Sequence, residues 1–411
     1  MAILFGPLET CPRCEQPESY GRCWIAAKEL LFKCNKCGYG KSKELPPITK
    51  KILYIDQFAL SKMVKNKDDQ FWGGLYDRLV RLTANDIITC PSSPIHVEES
   101  KFAHGLRDAL KTMYRQIAGD DEFCQPEDIE KRQLARSLRA YIGCTKSKPD
   151  GIFEDDAFEQ PPHRWSDISH VYADFAYNEE LIARLKEAKD SLHSSMQSLC
   201  DRWRENPVTF DEQVEAEAAA FRTALDMYRQ QTSGNPKRYP WLTSRPALDV
   251  VDWLAHTVQM IDPDEQSPLN ILEGFADSPQ YRETPCVFLK CRIWAKIAEL
   301  VLNPRGSRKP RPGDTYDARV LASYAPYCDA MFLDGGFREI AIDPRIAVEK
   351  RFGAKIFSEQ VRDQFLAYLN NLEEQTPPEH WQGLAFVHGS LPMNGVVREN
   401  SDYCSADGSS R

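Results

Sequence analysis

Four cysteines near the start of the chain form two C-x-x-C pairs with nineteen residues between the pairs. They are Cys11, Cys14, Cys34 and Cys37. This spacing is typical of a structural zinc site, in which each pair contributes two thiolates from a tight turn. The alternative interpretations of these four cysteines are two disulfides or four unrelated free thiols. We expect zinc, with Cys23 outside the ligand set because its neighbours form no such pair.

Five acidic residues stand where a second site could form. They are Asp56, Glu99, Asp314, Asp317 and Asp334. Carboxylates that lie close together repel one another and raise each other's pKa, so they persist as anions only when a cation joins them. Oxygen ligands of this kind suit Mg²⁺ or Mn²⁺. A divalent ion with open positions for water and phosphate is suited to phosphodiester hydrolysis.

These acids also have structural interpretations, which the sequence leaves open. Asp56 and Asp314 could simply cap the helices that follow them. Glu98 is adjacent to Glu99, so either could be the ligand. We expect Asp329 to serve in a structural turn. The hypothesis of a shared site therefore depends on the common position of the acids after strands.

Short apolar runs predict the strands that would position the acids. Residues 51–55, 86–90 and 329–333 are rich in β-formers, and 355–358 is a candidate fourth strand. Asp56 follows the first strand and Asp334 the third, where Gly335 and Gly336 predict a turn. Because helical patterns separate the strands, we expect a parallel sheet in an α/β domain, with its site at the carboxyl ends of the strands.

The middle of the chain is predicted to be helical. Apolar residues recur at helical spacing over 101–118, 126–141, 179–205, 210–231 and 284–304. We therefore divide the chain into four regions. They are a zinc ribbon at 1–45, an α/β core at 46–100 and 284–372, a helical insert at 101–283, and a partly mobile C-terminal extension at 373–411.

Composition limits the class of protein. The chain has 411 residues, 42% of them apolar, and a formal net charge of −9. This charge argues against non-specific coating of nucleic acid, although it allows a local basic groove. No apolar run approaches the roughly 20 residues that span a bilayer, and the N-terminal residues do not resemble a signal peptide. We expect a soluble, cytoplasmic protein without a membrane partner.

Three segments resemble motifs of PIN-like nucleases. Residues 54–62 are similar to the first-strand motif, and 93–99 resemble the S-x-x-H-x-x-E motif of one branch of the family. Residues 314–334, with Asp314, Asp317, the segment PYCD and then Asp334, resemble that branch's D-x-x-D…LPYCD…D block. The resemblance covers about a third of the chain, at 51–100 and 284–372.

The resemblance implies a three-layer α/β domain that cleaves RNA, or less often DNA, with a bound metal. By position, Asp56, Glu99, Asp317 and Asp334 become the ligands of Mg²⁺ or Mn²⁺, with Asp314 as an accessory. The family usually has another polar residue soon after the last acid, whereas Gly335 and Gly336 follow it here. A zinc ribbon joined to a PIN-like domain is also similar to ribonuclease effectors of bacterial antiphage defence.

Basic residues near the acids are candidates for contacts with nucleic-acid phosphates. They are Arg305, Arg308, Lys309 and Arg311. A solvated loop is the alternative interpretation. The expected partner is nucleic acid, with RNA preferred, and the ribbon could recognise either this substrate or a protein trigger. The sequence leaves open whether the protein forms a homo-oligomer.

The rival hypothesis is a non-catalytic adaptor, in which the zinc ribbon binds nucleic acid or protein on a degenerate PIN-like scaffold.

Overall fold

The fold is taken from a computed structural model, which describes residues 5–26, 28–101, 105–118, 121–143, 151–166, 179–232, 246–265, 267–303, 311 and 313–388. The predicted contacts of Arg305, Arg308 and Lys309, and the tail beyond His388, lie outside these residues. No helix in the described ranges is long and apolar enough to cross a membrane.

The first sheet is the four-stranded antiparallel ribbon. Its strands, in spatial and chain order, are β1 (Phe5–Glu9), β2 (Tyr20–Ala26), β3 (Glu29–Cys34) and β4 (Gly40–Glu44). All five residues of β4 are exposed. Leu30 of β3 is buried against Leu384 and Val387 near the C-terminal end of the described chain. The ribbon is therefore held by a small apolar contact as well as by its cysteines.

The second sheet is parallel and consists of β5 (Lys51–Ile55), β6 (Ile88–Thr89), β7 (Ala330–Phe332) and β8 (Lys355–Phe357). The spatial order of these strands is β6-β5-β7-β8. In the central pair, Leu53 aligns with Ala330 and Ile55 with Phe332. The short apolar runs form strands here because both faces of the sheet are covered, so nearly every side chain can be buried.

Two layers of helices cover this sheet. One face packs on α1 (Gln57–Lys65), α2 (Gln70–Ala84), α4 (Arg107–Ala118) and α16 (Arg362–Glu374). The other packs chiefly on α12 (Pro285–Leu302), α13 (Asp314–Tyr324) and α14 (Gly335–Ala341). Along β5, Leu53 and Ile55 face the first layer, whereas Ile52 and Tyr54 face the second. The domain is therefore a mixed α/β fold with helices on both faces of a parallel sheet.

The remaining helices complete the chain in order. They are α3 (Pro94–Ser100), α5 (Pro126–Ile142), α6 (Glu154–Ala157), α7 (Glu179–Glu205), α8 (Phe210–Thr232), α9 (Pro246–Ile261), α10 (Pro268–Ala276), α11 (Pro279–Glu283), α15 (Val348–Phe352) and α17 (Pro378–His388). Short 3₁₀ turns occupy Ala325–Tyr327 and Glu359–Val361.

A separate apolar cluster forms among the helices between the second and third strands of the parallel sheet. Leu138 of α5, Leu225 of α8, Leu254 of α9 and Phe275 of α10 are all fully buried in it. Where residues 101–283 are described, they form helices and isolated bridges, without a strand. The long apolar stripes of this region therefore pack against one another and against α12.

The predicted turn at Gly335 and Gly336 is wrong. These residues begin α14, because the Asp334 carboxylate accepts a hydrogen bond from the backbone N–H of Phe337 at 2.9 Å and caps the helix. Gly335 also lies against Gln360, whose Nε2 would be 2.0 Å from an added Cβ atom. Glycine at this position therefore permits close contact between the start of α14 and the segment after β8.

A buried ion pair connects four distant parts of the chain. Lys50 Nζ lies 2.7 Å from Asp86 Oδ1, and the two side chains are only 3% and 1% exposed. Ser166 Oγ donates to the same carboxylate at 2.6 Å, and His388 Nε2 lies 3.5 Å from it. The network joins the ribbon linker, the turn before β6, the segment after α6 and the end of α17.

Replacing Lys50 by Met should be strongly destabilising. A buried carboxylate would lose its cation, and breaking one partner of such a pair costs about 3–5 kcal/mol. Lys51 is the matched control, because it pairs with Asp329 at 2.7 Å while 46% of its side chain is exposed. Lys51→Met should cost at most about 1 kcal/mol. Denaturant unfolding measures both, and equal losses would contradict the assigned importance of the buried pair.

The same network predicts a loss of stability in acid. Burial raises the pKa of Asp86, but the hydrogen bond from His388 and the charge of Lys50 outweigh it and lower the pKa to about 2. Because the folded pKa lies below that of the unfolded chain, the carboxylate stabilises the fold above about pH 4. This stability should disappear as the pH falls from about 4 to 2. Lys50→Met should show a shallower loss than wild type over that range.

Candidate metal centre and acidic site

The four cysteines of the ribbon come together in one group. Their sulfur atoms all lie within 4.8 Å of one another, with Cys11 and Cys37 3.6 Å apart and Cys14 and Cys34 3.8 Å apart. A tetrahedral zinc site with Zn–S bonds of about 2.3 Å requires sulfur atoms about 3.8 Å apart. The donor set and its spacing therefore fit a four-thiolate metal centre. Cys23 is buried and lies outside the group.

Backbone geometry around each pair supports the sulfur positions. The N–H groups of Arg13 and Lys36 each point to the first cysteine of their pair, with N···Sγ distances of 3.4 Å. Such hydrogen bonds from the surrounding backbone orient thiolate ligands and offset their charge. Gly38 adopts a φ of +74°, which a residue with a Cβ atom adopts at a cost. The second turn therefore closes where the sequence supplies glycine.

Asp56 and Asp334 meet at the carboxyl ends of the two central parallel strands. Asp56 directly follows β5, and its backbone N–H donates to the carbonyl of Phe332 in β7 at 3.0 Å. Asp334 lies two residues beyond that strand. The connection from β5 leads to β6 on one side, whereas β7 and β8 lie on the other. In open α/β sheets, ligands bind where the strand order reverses in this way.

Glu99 and Asp317 join these two acids from neighbouring helices. We call Asp56, Glu99, Asp317 and Asp334 the acidic site. Burial, followed by the charges of Asp56, Glu99 and Asp334, raises the pKa of Asp317 well above its usual range. Burial and the charges of Glu99 and Asp334 raise the pKa of Asp56 to about 7, against the opposing hydrogen bond from the Phe58 amide. The neighbouring acids thus add to the effect of burial on Asp56 and Asp317.

Two members of the acidic site are also helix caps. Asp56 Oδ1 accepts from the Phe58 amide at 3.1 Å at the start of α1. Asp334 Oδ1 accepts from the Phe337 amide at 2.9 Å at the start of α14. Asp56 therefore caps α1, as the capping interpretation of this residue predicted. A cap occupies one oxygen of each carboxylate, and it fixes the direction in which the other oxygen points.

The acids are near one another without forming a closed ligand group. Among the residues that the structure describes, only the four cysteines bring three or more ligand atoms within 4.8 Å of one another. A guanidinium lies at the acidic site instead. Arg311 Nη2 donates to Asp334 Oδ2 at 3.0 Å.

Asp314 occupies a different position from the other predicted acids. Its side chain is fully buried, and both of its oxygens accept hydrogen bonds from Arg311. The backbone N–H of Arg311 is 2.9 Å from Oδ2, and Nε is 3.1 Å from Oδ1. The sequence predicted Arg311 as a phosphate contact and Asp314 as an accessory, and it did not predict their pairing. Their spacing of three residues was the available signal.

Glu98 and Glu99, either of which could be the predicted metal ligand, have different surroundings. Glu98 Oε1 accepts a hydrogen bond from the hydroxyl of Tyr316 at 3.0 Å. Glu99 is the residue whose charge acts on both Asp56 and Asp317.

Asp329, which was expected to be structural, lies before β7 and accepts from the Ile52 amide at 2.9 Å. It therefore stands at the opposite end of the strand from the acidic site.

His96 lies beneath the acidic site as a packed residue. Its ring stacks on Tyr54 with the centroids 4.8 Å apart, and only 2% of the residue is exposed. Burial lowers its pKa to about 3, although the carbonyl of Ile55 partly opposes the shift. The imidazole is therefore neutral at physiological pH, and its position is that of a core side chain.

The four-cysteine group predicts one equivalent of tightly held zinc. Replacing Cys11 by Ser should abolish tight binding, because a structural site requires all four thiolates. Cys23→Ala is the matched control, since Cys23 is a buried cysteine of the same sheet outside the group. It should retain the full equivalent. Metal analysis after dialysis measures both, and a full equivalent in Cys11→Ser protein would rule out this ligand set.

Comparison with known proteins leaves the chain without an assigned family. No family model, curated protein or solved structure matches it. The parallel sheet and the four-cysteine group are properties of this chain's own structure. Its likeness to PIN-like nucleases rests on the short motifs around Asp56, Glu99 and residues 314–334.

Proposed function

We propose that the chain is a metal-dependent endonuclease that hydrolyses phosphodiester bonds at the acidic site. The proposal is supported by the mutual electrostatic influence of four acids, which follow two adjacent strands or lie on two nearby helices where the strand order of the sheet reverses. Mutual repulsion at this position costs folding free energy, and a divalent cation would remove that cost. The preference for RNA over DNA comes from the motif resemblance.

The donor set fits a hard divalent ion in its chemistry. Carboxylate oxygens are the protein ligands that Mg²⁺ and Mn²⁺ prefer, and both ions commonly retain water in their coordination. Asp56, Glu99, Asp317 and Asp334 would hold the ion. When bound, it would supply an activated water and neutralise charge on the scissile phosphate. Oδ1 of Asp56 and of Asp334 remains engaged in capping, so we assign ligand roles to their other oxygens.

The remaining parts of the chain have supporting roles in this proposal. The sheet and the capped starts of α1 and α14 hold two acids on rigid elements, which catalytic geometry requires. Arg311 and the adjoining basic residues of the sequence would contact substrate phosphates. The zinc ribbon would recognise the nucleic acid or a protein trigger. A cytoplasmic role in antiphage defence is motivated by the same combination of ribbon and nuclease-like motifs.

A non-catalytic adaptor is the second candidate function. The separation of the acidic oxygens and the presence of Arg311 at Asp334 favour it, because a degenerate site would keep its helix caps without binding metal. The ribbon would then provide the binding activity. The two functions differ in one respect that can be measured, since only the nuclease requires the charge of Asp317.

Asp317→Asn should abolish cleavage while preserving the fold. Asn keeps the size and hydrogen-bonding capacity of Asp, but it lacks the charge that holds a hard cation. Loss of a ligand should reduce the cleavage rate by on the order of a hundredfold or more. Gel assays with RNA, single-stranded DNA and duplex, each with and without Mn²⁺, measure the effect. Folding should be retained because the substitution removes a charge that Asp56, Glu99 and Asp334 repel.

Asp329→Asn is the matched control for this prediction. Asp329 lies at the other end of β7, where it pairs with the exposed Lys51 and accepts from Ile52. Its replacement should leave cleavage within about twofold of wild type, since it touches neither the acids nor Arg311. Near wild-type cleavage by Asp317→Asn protein across Mg²⁺ and Mn²⁺ titrations would show that Asp317 is not a ligand.

A further inference from the structure

Arg311 contacts two carboxylates in very different surroundings. Its backbone N–H and Nε bind Asp314, whereas its Nη2 binds Asp334 Oδ2. Asp314 is fully buried, 23% of the Asp334 side chain is exposed, and 49% of the Arg311 side chain is exposed. The guanidinium therefore binds the buried carboxylate of Asp314 through Nε and the partly exposed carboxylate of Asp334 through Nη2.

The two attachments differ in strength for physical reasons. The contact with Asp314 combines two hydrogen bonds to a carboxylate that water does not reach, and breaking it would remove charge-assisted hydrogen bonds inside the protein. The contact with Asp334 is a single, partly exposed ion pair, which water and other ions can replace at little cost. The guanidinium can therefore release Asp334 without leaving Asp314.

A metal ion and Arg311 would require the same oxygen. Asp334 Oδ1 accepts from the Phe337 amide, so Oδ2 is the oxygen that remains for another ligand. In the structure Arg311 holds that oxygen. Two cations at a single oxygen would repel each other, so binding of one weakens binding of the other.

We propose that Arg311 is a tethered counter-cation of the acidic site, which holds Asp334 before metal binds and turns the same nitrogen to the substrate phosphate afterwards. This inference rests on the proposed function. It makes Asp314 a positioning residue, whose buried carboxylate keeps Arg311 at the site in both states. The arginine would thus limit repulsion among the acids in the metal-free protein and compete with the divalent ion.

The test measures Mn²⁺ affinity and substrate affinity in the same full-length, zinc-containing protein. Arg311→Ala should bind Mn²⁺ about fivefold more tightly than wild type in titration calorimetry, because the competing cation is gone. Its KM for a single-stranded RNA should rise, because a phosphate contact is lost. Arg311→Lys should fall between the two, since lysine keeps the charge without the two-sided guanidinium contact.

Arg319→Gln is the matched control for loss of a positive charge. Arg319 lies on α13, as Asp317 does, but its guanidinium pairs with Glu127 instead of Asp314 or Asp334. Its Mn²⁺ affinity should stay within about twofold of wild type, because its ion pair is away from the metal oxygens. An effect as large as that of Arg311→Ala would show that overall charge, rather than competition at Asp334, sets the affinity.

The outcomes separate this inference from the proposed function. Unchanged or weaker Mn²⁺ binding by Arg311→Ala, with normal binding by wild type, would overturn the counter-cation role alone. A wild-type protein whose Mn²⁺ binding does not depend on Asp317 would overturn the proposed metal site, and the inference with it. Tighter Mn²⁺ binding together with a raised KM is the combination that the inference requires.

Discussion

Repulsion among carboxylates at one edge of the parallel sheet is the constraint on which the account depends. Parallel pairing of β5 with β7 brings Asp56 and Asp334 together, and α3 and α13 add Glu99 and Asp317. Burial, followed by the charge of Glu99, raises the pKa of Asp56 to about 7, so its ionised form is unfavourable there. Among the described residues, helix-capping amides and Arg311 offset part of this cost, and in the proposed function a divalent cation would offset more of it.

The chain thus combines two candidate metal centres of opposite chemistry. The ribbon offers four sulfur atoms at tetrahedral spacing, which suit zinc in a closed structural site. The acidic site offers carboxylate oxygens, the ligands that Mg²⁺ and Mn²⁺ prefer, although they are not gathered into a closed group in the described part of the chain. A buried network around Lys50 and Asp86 joins the ribbon linker to the parallel-sheet domain. The ribbon is thus attached to the parallel-sheet domain through a buried ion pair at its linker.

Local sequence predicted the elements that carry the two sites, but it did not predict their long-range partners. The apolar run at 51–55 is β5, and the helix predicted at 179–205 has the predicted bounds, because apolar residues recur at the spacing of each element. The turn expected at Gly335 is wrong because capping by Asp334 outweighs glycine's low helix propensity. The pairing of Lys50 with Asp86 and His388 depends on tertiary packing, which a linear pattern does not reveal.

Anomalous X-ray diffraction from crystals grown with Mn²⁺ tests the central claim most directly. Data collected at the manganese and zinc absorption edges distinguish the two metals at their separate positions. The account predicts a zinc peak among Cys11, Cys14, Cys34 and Cys37, and a manganese peak bound by carboxylate oxygens of the acidic site, with Arg311 Nη2 displaced from Asp334. A manganese-free acidic site in crystals with saturating Mn²⁺, with Arg311 still on Asp334, would contradict it.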